Sequence, residues 1–201
     1  PIEFFKSKKV ICGSFTPQIT FTSSGTTGSE VSKHHVKNLE LYENSYLTAF
    51  RHFYGDIDDY CVLALLPSYL EREGSSLIYM ANDLIHKSKH PDSGFYLDDL
   101  DRLQKTLVEL DARNTKILLL GVSFALLDMV EKFPLKLKNT VVMETGGMKG
   151  RKKELIREEL HQLLKKGFGV EAIHSEYGMT ELLSQAYSQG NGRFFAPKWM
   201  K

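Results

Sequence analysis

Cysteine is scarce in this chain, and the two that occur, Cys12 and Cys61, stand far apart in apolar, strand-like surroundings. They offer neither a disulfide framework nor a metal-ligand spacing, which excludes a disulfide-stapled secreted module and fits a reducing compartment. Both read as core cysteines. Long apolar runs are also missing. No stretch could span a bilayer and the N-terminus lacks a signal-peptide pattern, so we expect a cytoplasmic protein without an integral membrane segment. Nor does one charge dominate: 26 Lys+Arg against 25 Asp+Glu leave a net charge of +1. That balance gives no electrostatic footprint for nucleic acid or an anionic membrane. The Gly-Lys-Ser/Thr ending of the Walker loop is lacking too, because Gly28 is followed by Ser29-Glu30. A P-loop NTPase of that type is excluded.

What is present is an ordinary globular composition. The chain has 201 residues, 42% hydrophobic and 25% charged, enough for one sizeable core. Lys9–Cys12 reads as strand-like, and Gln18–Thr22 as a strand that enters a Ser/Thr/Gly run. Val31–Val36 is an extended return. Asn38 is placed to cap a helix from Leu39 to about Tyr54, which Gly55 ends. Tyr60–Leu66 is a continuous apolar run, as expected of a strand covered on both faces. Helices are predicted from Gly74 through Ile85, over Asp98–Arg113, over Ser123–Lys132 and within Gly150–Gly167. Strands are predicted at Thr115–Leu120, Asn139–Met143 and Val170–His174. This alternation predicts a three-layer α/β domain with a mostly parallel sheet flanked by helices. Ligands in such sheets gather beyond the strands' carboxyl ends.

Phe21-Thr22-Ser23-Ser24-Gly25-Thr26-Thr27-Gly28-Ser29 is the most informative stretch. Its glycines allow close backbone approach, and its N–H groups and hydroxyls can converge on a polyphosphate. An isolated run of this kind would read as a linker. Here ordered segments flank it, and Tyr177-Gly178-Met179-Thr180-Glu181 supplies complementary groups further down the chain. A tyrosine face suits a nucleobase, and a carboxylate beside phosphate oxygens suits Mg²⁺. Taken alone, Tyr177 reads as a core or rim aromatic and Glu181 as a helix-surface charge. For Gly146-Gly147 a plain turn and a ligand contact read equally well.

Together these motifs resemble the adenylate-forming superfamily of acyl-CoA synthetases, luciferases and adenylation domains. Thr22–Gly28 is similar to its phosphate loop, Glu144–Gly150 to its Gly-Gly segment, and Tyr177–Glu181 to its Tyr-Gly-x-Thr-Glu motif, over about residues 18–185. The loop wording, Thr-Gly-Gly-x-Lys-Gly and the final Pro-x-Trp-Met look most like the acyl-protein synthetases of bioluminescence and their acyltransferase relatives. Phenylacetate-CoA ligases are the next comparison. The resemblance implies ATP and Mg²⁺ as cofactors and a carboxylic acid, by family a fatty acid, as substrate. The acid would become an acyl-adenylate and pass to a thiol on a protein or on CoA, or to another acceptor. It implies that Ser23, Ser24, Gly25, Thr26, Thr27 and Gly28 hold the β- and γ-phosphates. Gly146 and Gly147 would admit the adenine and acyl group, Tyr177 would stack on adenine, Thr180 would bond the α-phosphate, and Glu181 would help hold Mg²⁺. A non-catalytic nucleotide- or acyl-binding module is the rival from another class.

The family pattern also has gaps here. Pro-Lys after the loop is replaced by Ser29–Lys33, leaving Lys33 either a shifted phosphate ligand or a solvated lysine. The Leu66–Arg72 corner has no His, and Tyr69, Glu71 and Arg72 either shape an acyl end or form a plain loop. The superfamily's ribose-binding Asp, hinge and mobile C-terminal domain with its catalytic Lys lie beyond this sequence. We therefore expect residues 1–201 to be part of an N-terminal ATP- and acyl-binding domain from a longer protein, inactive alone. His34-His35 would point to opposite faces of a strand rather than hold a metal. His174 lacks triad partners and reads either as a pocket residue or as a satisfied histidine. Arg151-Lys152-Lys153 reads most simply as a solvated helix start, the alternative being a basic group that faces a partner's phosphate.

Overall fold

A computed structural model describes residues 2–24, 30–67, 74–146 and 155–200. A short helix α1 (Phe4–Ser7) precedes a hairpin of β1 (Ile19–Thr22) and β2 (Lys33–Val36). There follow α2 (Leu39–Tyr54), β3 (Cys61–Leu65), α3 (Ser76–Ser88), β4 (Gly94–Phe95), α4 (Leu100–Ala112) and β5 (Ile117–Val122). The chain continues with α5 (Ser123–Lys132), β6 (Thr140–Thr145), α6 (Arg157–Phe168), β7 (His174–Tyr177) and β8 (Ala186–Ser188).

The six-stranded sheet runs β4-β3-β5-β6-β7-β8, parallel throughout except for β8. The predicted α/β class, with a mostly parallel sheet flanked by helices, is what forms. Every residue of β3 and β5 is buried, because helices cover both faces of the central strands. Alternation therefore disappears from their sequences.

Helix starts follow local chemistry. Asn38 caps α2 by accepting the Glu40 N–H at 3.0 Å, Asp99 caps α4 through Arg102, and Ser75 caps α3 through Ile78. Gly167 near the end of α6 lets that helix lie against Val130 of α5, since an added Cβ would sit 2.3 Å from the Val130 Cβ.

The hairpin has its own apolar core, in which Phe21 and Val36 meet Tyr42 and Tyr46 of α2 and Met80 and Leu84 of α3. Phe21 stands edge-on to Tyr42 at 5.3 Å and to Tyr79 at 5.7 Å. This core sets the height at which the Ser/Thr/Gly loop leaves β1. The Thr22 N–H donates to the Gly74 carbonyl at 2.7 Å, fastening the loop's first edge to the entry of α3.

Three sequence expectations need correction. Lys9–Cys12 forms no strand, and Cys12 is exposed; its apolar residues find no neighbouring strand to pair with. The strand expected at Val170–His174 lies at His174–Tyr177, so Tyr177 ends the strand rather than following it. Cys61 is the core cysteine, and burial pushes its thiol up to about 11.

Candidate functional site

The carboxyl ends of β6 and β7 open into a cleft of roughly 330 Å³. Thr22 and Ser24 bring the edge of the Ser/Thr/Gly loop to it, and Ser75, Ser76 and Leu77 bring the N-terminus of α3. Thr145 and Gly146 come from the end of β6 and Arg157 from the start of α6. Glu176 to Thr180, with Tyr42 and Gln185, complete the wall. Segments more than a hundred residues apart in sequence meet here because β1–β2 packs beside α3 while β6 and β7 end next to it.

One bond fixes how they meet. The His34 Nδ1–H on β2 donates to the Thr180 carbonyl at 2.9 Å, tying the hairpin to the Tyr-Gly-Met-Thr-Glu segment. Burial holds the His34 pKa below its ordinary value, so the ring is neutral near pH 7. His35 faces away and its Nδ1 meets Thr20 Oγ1 at 2.9 Å. The two histidines thus have separate partners, and no metal-holding group of His, Cys, Asp and Glu occurs among the described residues.

The predicted site residues divide into three groups. Ser24, Gly146, Tyr177 and Thr180 line the cleft. Gly146 has φ +71°, a left-handed turn that favours glycine, and its carbonyl accepts from Ser123 Oγ at 2.8 Å. Among the described residues, a Cβ there would meet nothing within 4 Å. Tyr177 is 45% exposed; its hydroxyl lies 3.0 Å from Met179 Sδ and its ring is edge-on to Phe194. Ser23 and Glu181 are not among the residues that line the cleft. Ser23 Oγ accepts the Ser32 N–H at 2.9 Å, closing the base of the loop. Glu181 is half-buried beside Thr180, close enough to act electrostatically on His34. Gly25, Thr26, Thr27, Gly28 and Gly147 lie outside the described residues, as do Tyr69, Glu71, Arg72 and Arg151-Lys152-Lys153. Lys33 is exposed at the start of β2 and is not in the cleft wall. His174 sits at the opposite end of β7, its Nδ1 3.2 Å from the Tyr54 hydroxyl.

Sequence reasoning missed the acidic floor. Glu144 on β6 is buried and accepts from Ser175 Oγ at 3.0 Å, while Ser123 Oγ, whose hydrogen goes to the Gly146 carbonyl, lies 3.2 Å from it. Arg157 Nε lies 3.3 Å and His161 Nε2 3.5 Å from the same carboxylate. Glu176 is 7% exposed, and its Oε2 accepts from Thr145 Oγ1 at 2.6 Å. Burial, with Glu144 adding like-charge repulsion, pushes its carboxyl up to about 7, against the pull of the Thr145 bond. Arg157 also lies over the Phe194 ring at 5.0 Å; among the described residues lining the cleft it is the cation. Nothing in the sequence flags Arg157 or Glu176, which acquire their roles only when α6 and β7 are placed. Thr145 and Glu144 stand directly before the Gly-Gly segment, and that adjacency was the available signal.

Chemically, the cleft offers hydroxyls, a helix N-terminus, one guanidinium and an aromatic rim. That donor set suits an anionic ligand with a planar group.

No family model and no curated protein sequence matches the chain. Among solved structures, a point-mutant form of coronafacic acid ligase from Pectobacterium brasiliense is similar in part, at 18% identity and a TM-score of 0.45. The match covers 64% of this chain and 24% of that one. The chain thus corresponds to about a quarter of that protein's length, and a likeness so slight does not bear on activity.

Proposed function

We propose that the chain is the ATP- and acyl-binding part of an adenylate-forming enzyme. It activates a carboxylic acid, with a fatty acid as first candidate, and passes the acyl group to a thiol or other acceptor. One observation carries this reading: Ser24, Gly146, Tyr177 and Thr180, taken from three separate motifs, line a single cleft. In the reaction a carboxylate oxygen bonds to the α-phosphorus of ATP as the bond to the leaving pyrophosphate breaks.

In this reading the Ser23–Gly28 loop and the N-terminus of α3 hold the β- and γ-phosphates, and Thr180 bonds the α-phosphate. Tyr177 stacks on adenine, and Gly146 and Gly147 admit the adenine and acyl group. Mg²⁺ commonly takes one or two carboxylates and fills its shell from phosphates and water; Thr180 and Ser24 line the cleft, and Glu181, which does not, would have to turn toward them to hold the ion. When bound, the ion would neutralise phosphate charge. His34 positions Thr180 by gripping its carbonyl. Most of the acceleration then comes from alignment and charge neutralisation.

The test is carboxylate-dependent ATP–pyrophosphate exchange on the full-length protein, across fatty, aryl and amino acids. Exchange with one class, reduced about a hundredfold or more in Glu181→Ala, is expected. Mg·ATP binding without exchange for any acid would instead establish a binding module.

A further inference from the structure

The cleft has a buried carboxyl in its wall with one oxygen left over. Glu176 is 7% exposed and lines the cleft together with Thr145 and Gly178. Oε2 accepts from Thr145 Oγ1 at 2.6 Å, whereas Oε1 has no hydrogen-bond partner among the described residues. Unlike Gln185 Oε1, which is unpartnered and sealed from solvent, this oxygen stays open. Gly178 keeps its side clear, since a Cβ there would stand 2.6 Å from Oε1. Gly178 has no positive φ, so its backbone does not call for glycine; clearance beside the carboxyl does. The two oxygens of a carboxyl are alike, so a half-turn of the group again puts one on Thr145 and leaves the other open.

Charge is unbalanced at the same point. The neighbouring Glu144 has Arg157 Nε at 3.3 Å and His161 Nε2 at 3.5 Å, but no cation contacts Glu176 among the described residues. The titratable groups that face it are Glu144 on β6, Tyr42 on α2 and Tyr187 on β8, and burial holds both phenols protonated. A buried carboxylate without a counter-charge is costly, and a partner that arrives with a positive hydrogen relieves that cost.

We propose that Glu176 reads an amino group on the ligand of this cleft, its Oε1 accepting a hydrogen from that group. This rests on reading the cleft as a nucleotide and acid site. Such a ligand pair has two sources for the amino group: the nucleobase, or an amino substituent on the acid. An unsubstituted fatty acid leaves Oε1 bare. If the acid is the source, the substrate class moves to amino-bearing acids.

The experiment is isothermal titration of the full-length protein with matched ligand pairs. Mg·ATP is compared with the Mg²⁺ complex of purine riboside triphosphate, which lacks only the amino group. Decanoate is compared with α-aminodecanoate, and benzoate with p-aminobenzoate. Wild type is expected to favour the amino-bearing member of at least one pair by about tenfold or more. Glu176→Gln keeps an oxygen for Thr145 and turns an N–H toward the cleft, so that ratio should fall to within about twofold of unity. A ratio unchanged in the variant, or a loss shared equally by both members of every pair, would overturn the inference. A second readout needs no variant. With its carboxyl raised to about 7, wild type at pH 7 should release up to about half a proton more to the preferred, amino-bearing ligand's titration than to its partner's, read from the buffer dependence of the heat. Equal proton release would also overturn it. Loss of preference confined to the nucleotide pair assigns the amino group to the base, and loss confined to an acid pair assigns it to the acid. The nucleotide reading fails separately, if wild type binds neither triphosphate. The acid pairs then decide the case for Glu176, and the absence of an amino-dependent difference in them overturns it.

Discussion

At Glu176 the demands of the site and of the fold pull in opposite directions. Its carboxyl sits between Thr145 and the charge of Glu144, with burial raising it from 4.5 to about 7. A carboxyl with a raised folded-state pKa binds more protons folded than unfolded. Its effect on stability is therefore favourable at low pH and is lost as pH rises from about 4.5 to 7. The shift corresponds to a ceiling of about 3 kcal/mol. Glu176→Gln, followed by denaturant melts across that window, should gain stability relative to wild type as pH rises and keep a constant difference above it. A pH-independent difference would mean that the carboxyl titrates normally. Gly178 is the neighbouring sensitive point. Alanine there would press its Cβ to 2.6 Å from Glu176 Oε1, and overpacking of this kind costs roughly 1–3 kcal/mol. Gly178→Ala should lower the melting temperature, and unchanged stability would show that the Glu176 side chain can move aside. The sequence marked Gly178 through its motif but gave no sign of Glu176. A glutamate in His-Ser-Glu-Tyr looks like surface until β7 is placed between β6 and β8.

For whole elements, legibility depended on whether the signal was local. α5 begins and ends where periodicity put it, at Ser123 and Lys132, and α2 starts at its Asn38 cap. β7 was misplaced because its apolar lead-in, Val170 to Ile173, looks more like a strand than the polar His174–Tyr177 that pairs with two neighbours. β4 and β8, two and three residues long, carry no periodicity at all. Two predictions belong at this scale. In α6, Gly167→Ala would gain about 1 kcal/mol of helix propensity. It would also drive a Cβ to 2.3 Å from the Val130 Cβ. The clash should win, giving a net loss of at least about 1 kcal/mol in chemical denaturation; a stabilised variant would show that α6 can shift on α5. The second concerns the tie between the hairpin and the Thr180 segment. His34→Ala removes one bond, worth about 1 kcal/mol. Faster amide exchange in β1 and β2 than in β3 or β5 is expected, and equal acceleration everywhere would refute a local role.

At the scale of the molecule, the hairpin's aromatic core is distinct from the main core around β3 and β5. Phe21→Ala, at a fully buried position, should cost about 3–5 kcal/mol. Near-ultraviolet circular dichroism from the tyrosine cluster should collapse with it. A parallel α/β layout was readable because β3 and β5 are apolar throughout. The cleft was readable only as a list of motifs, since the meeting of Ser24 with Thr180 depends on how the hairpin packs. The sheet also ends quickly on both sides. β4 offers two paired residues at one margin. At the other, β8 is three residues long and Tyr187 is already bridged to Phe195. A strand from another molecule therefore finds little exposed backbone to copy. Crowding should not recruit this sheet into fibrils, and concentrated solutions should stay free of thioflavin-positive species.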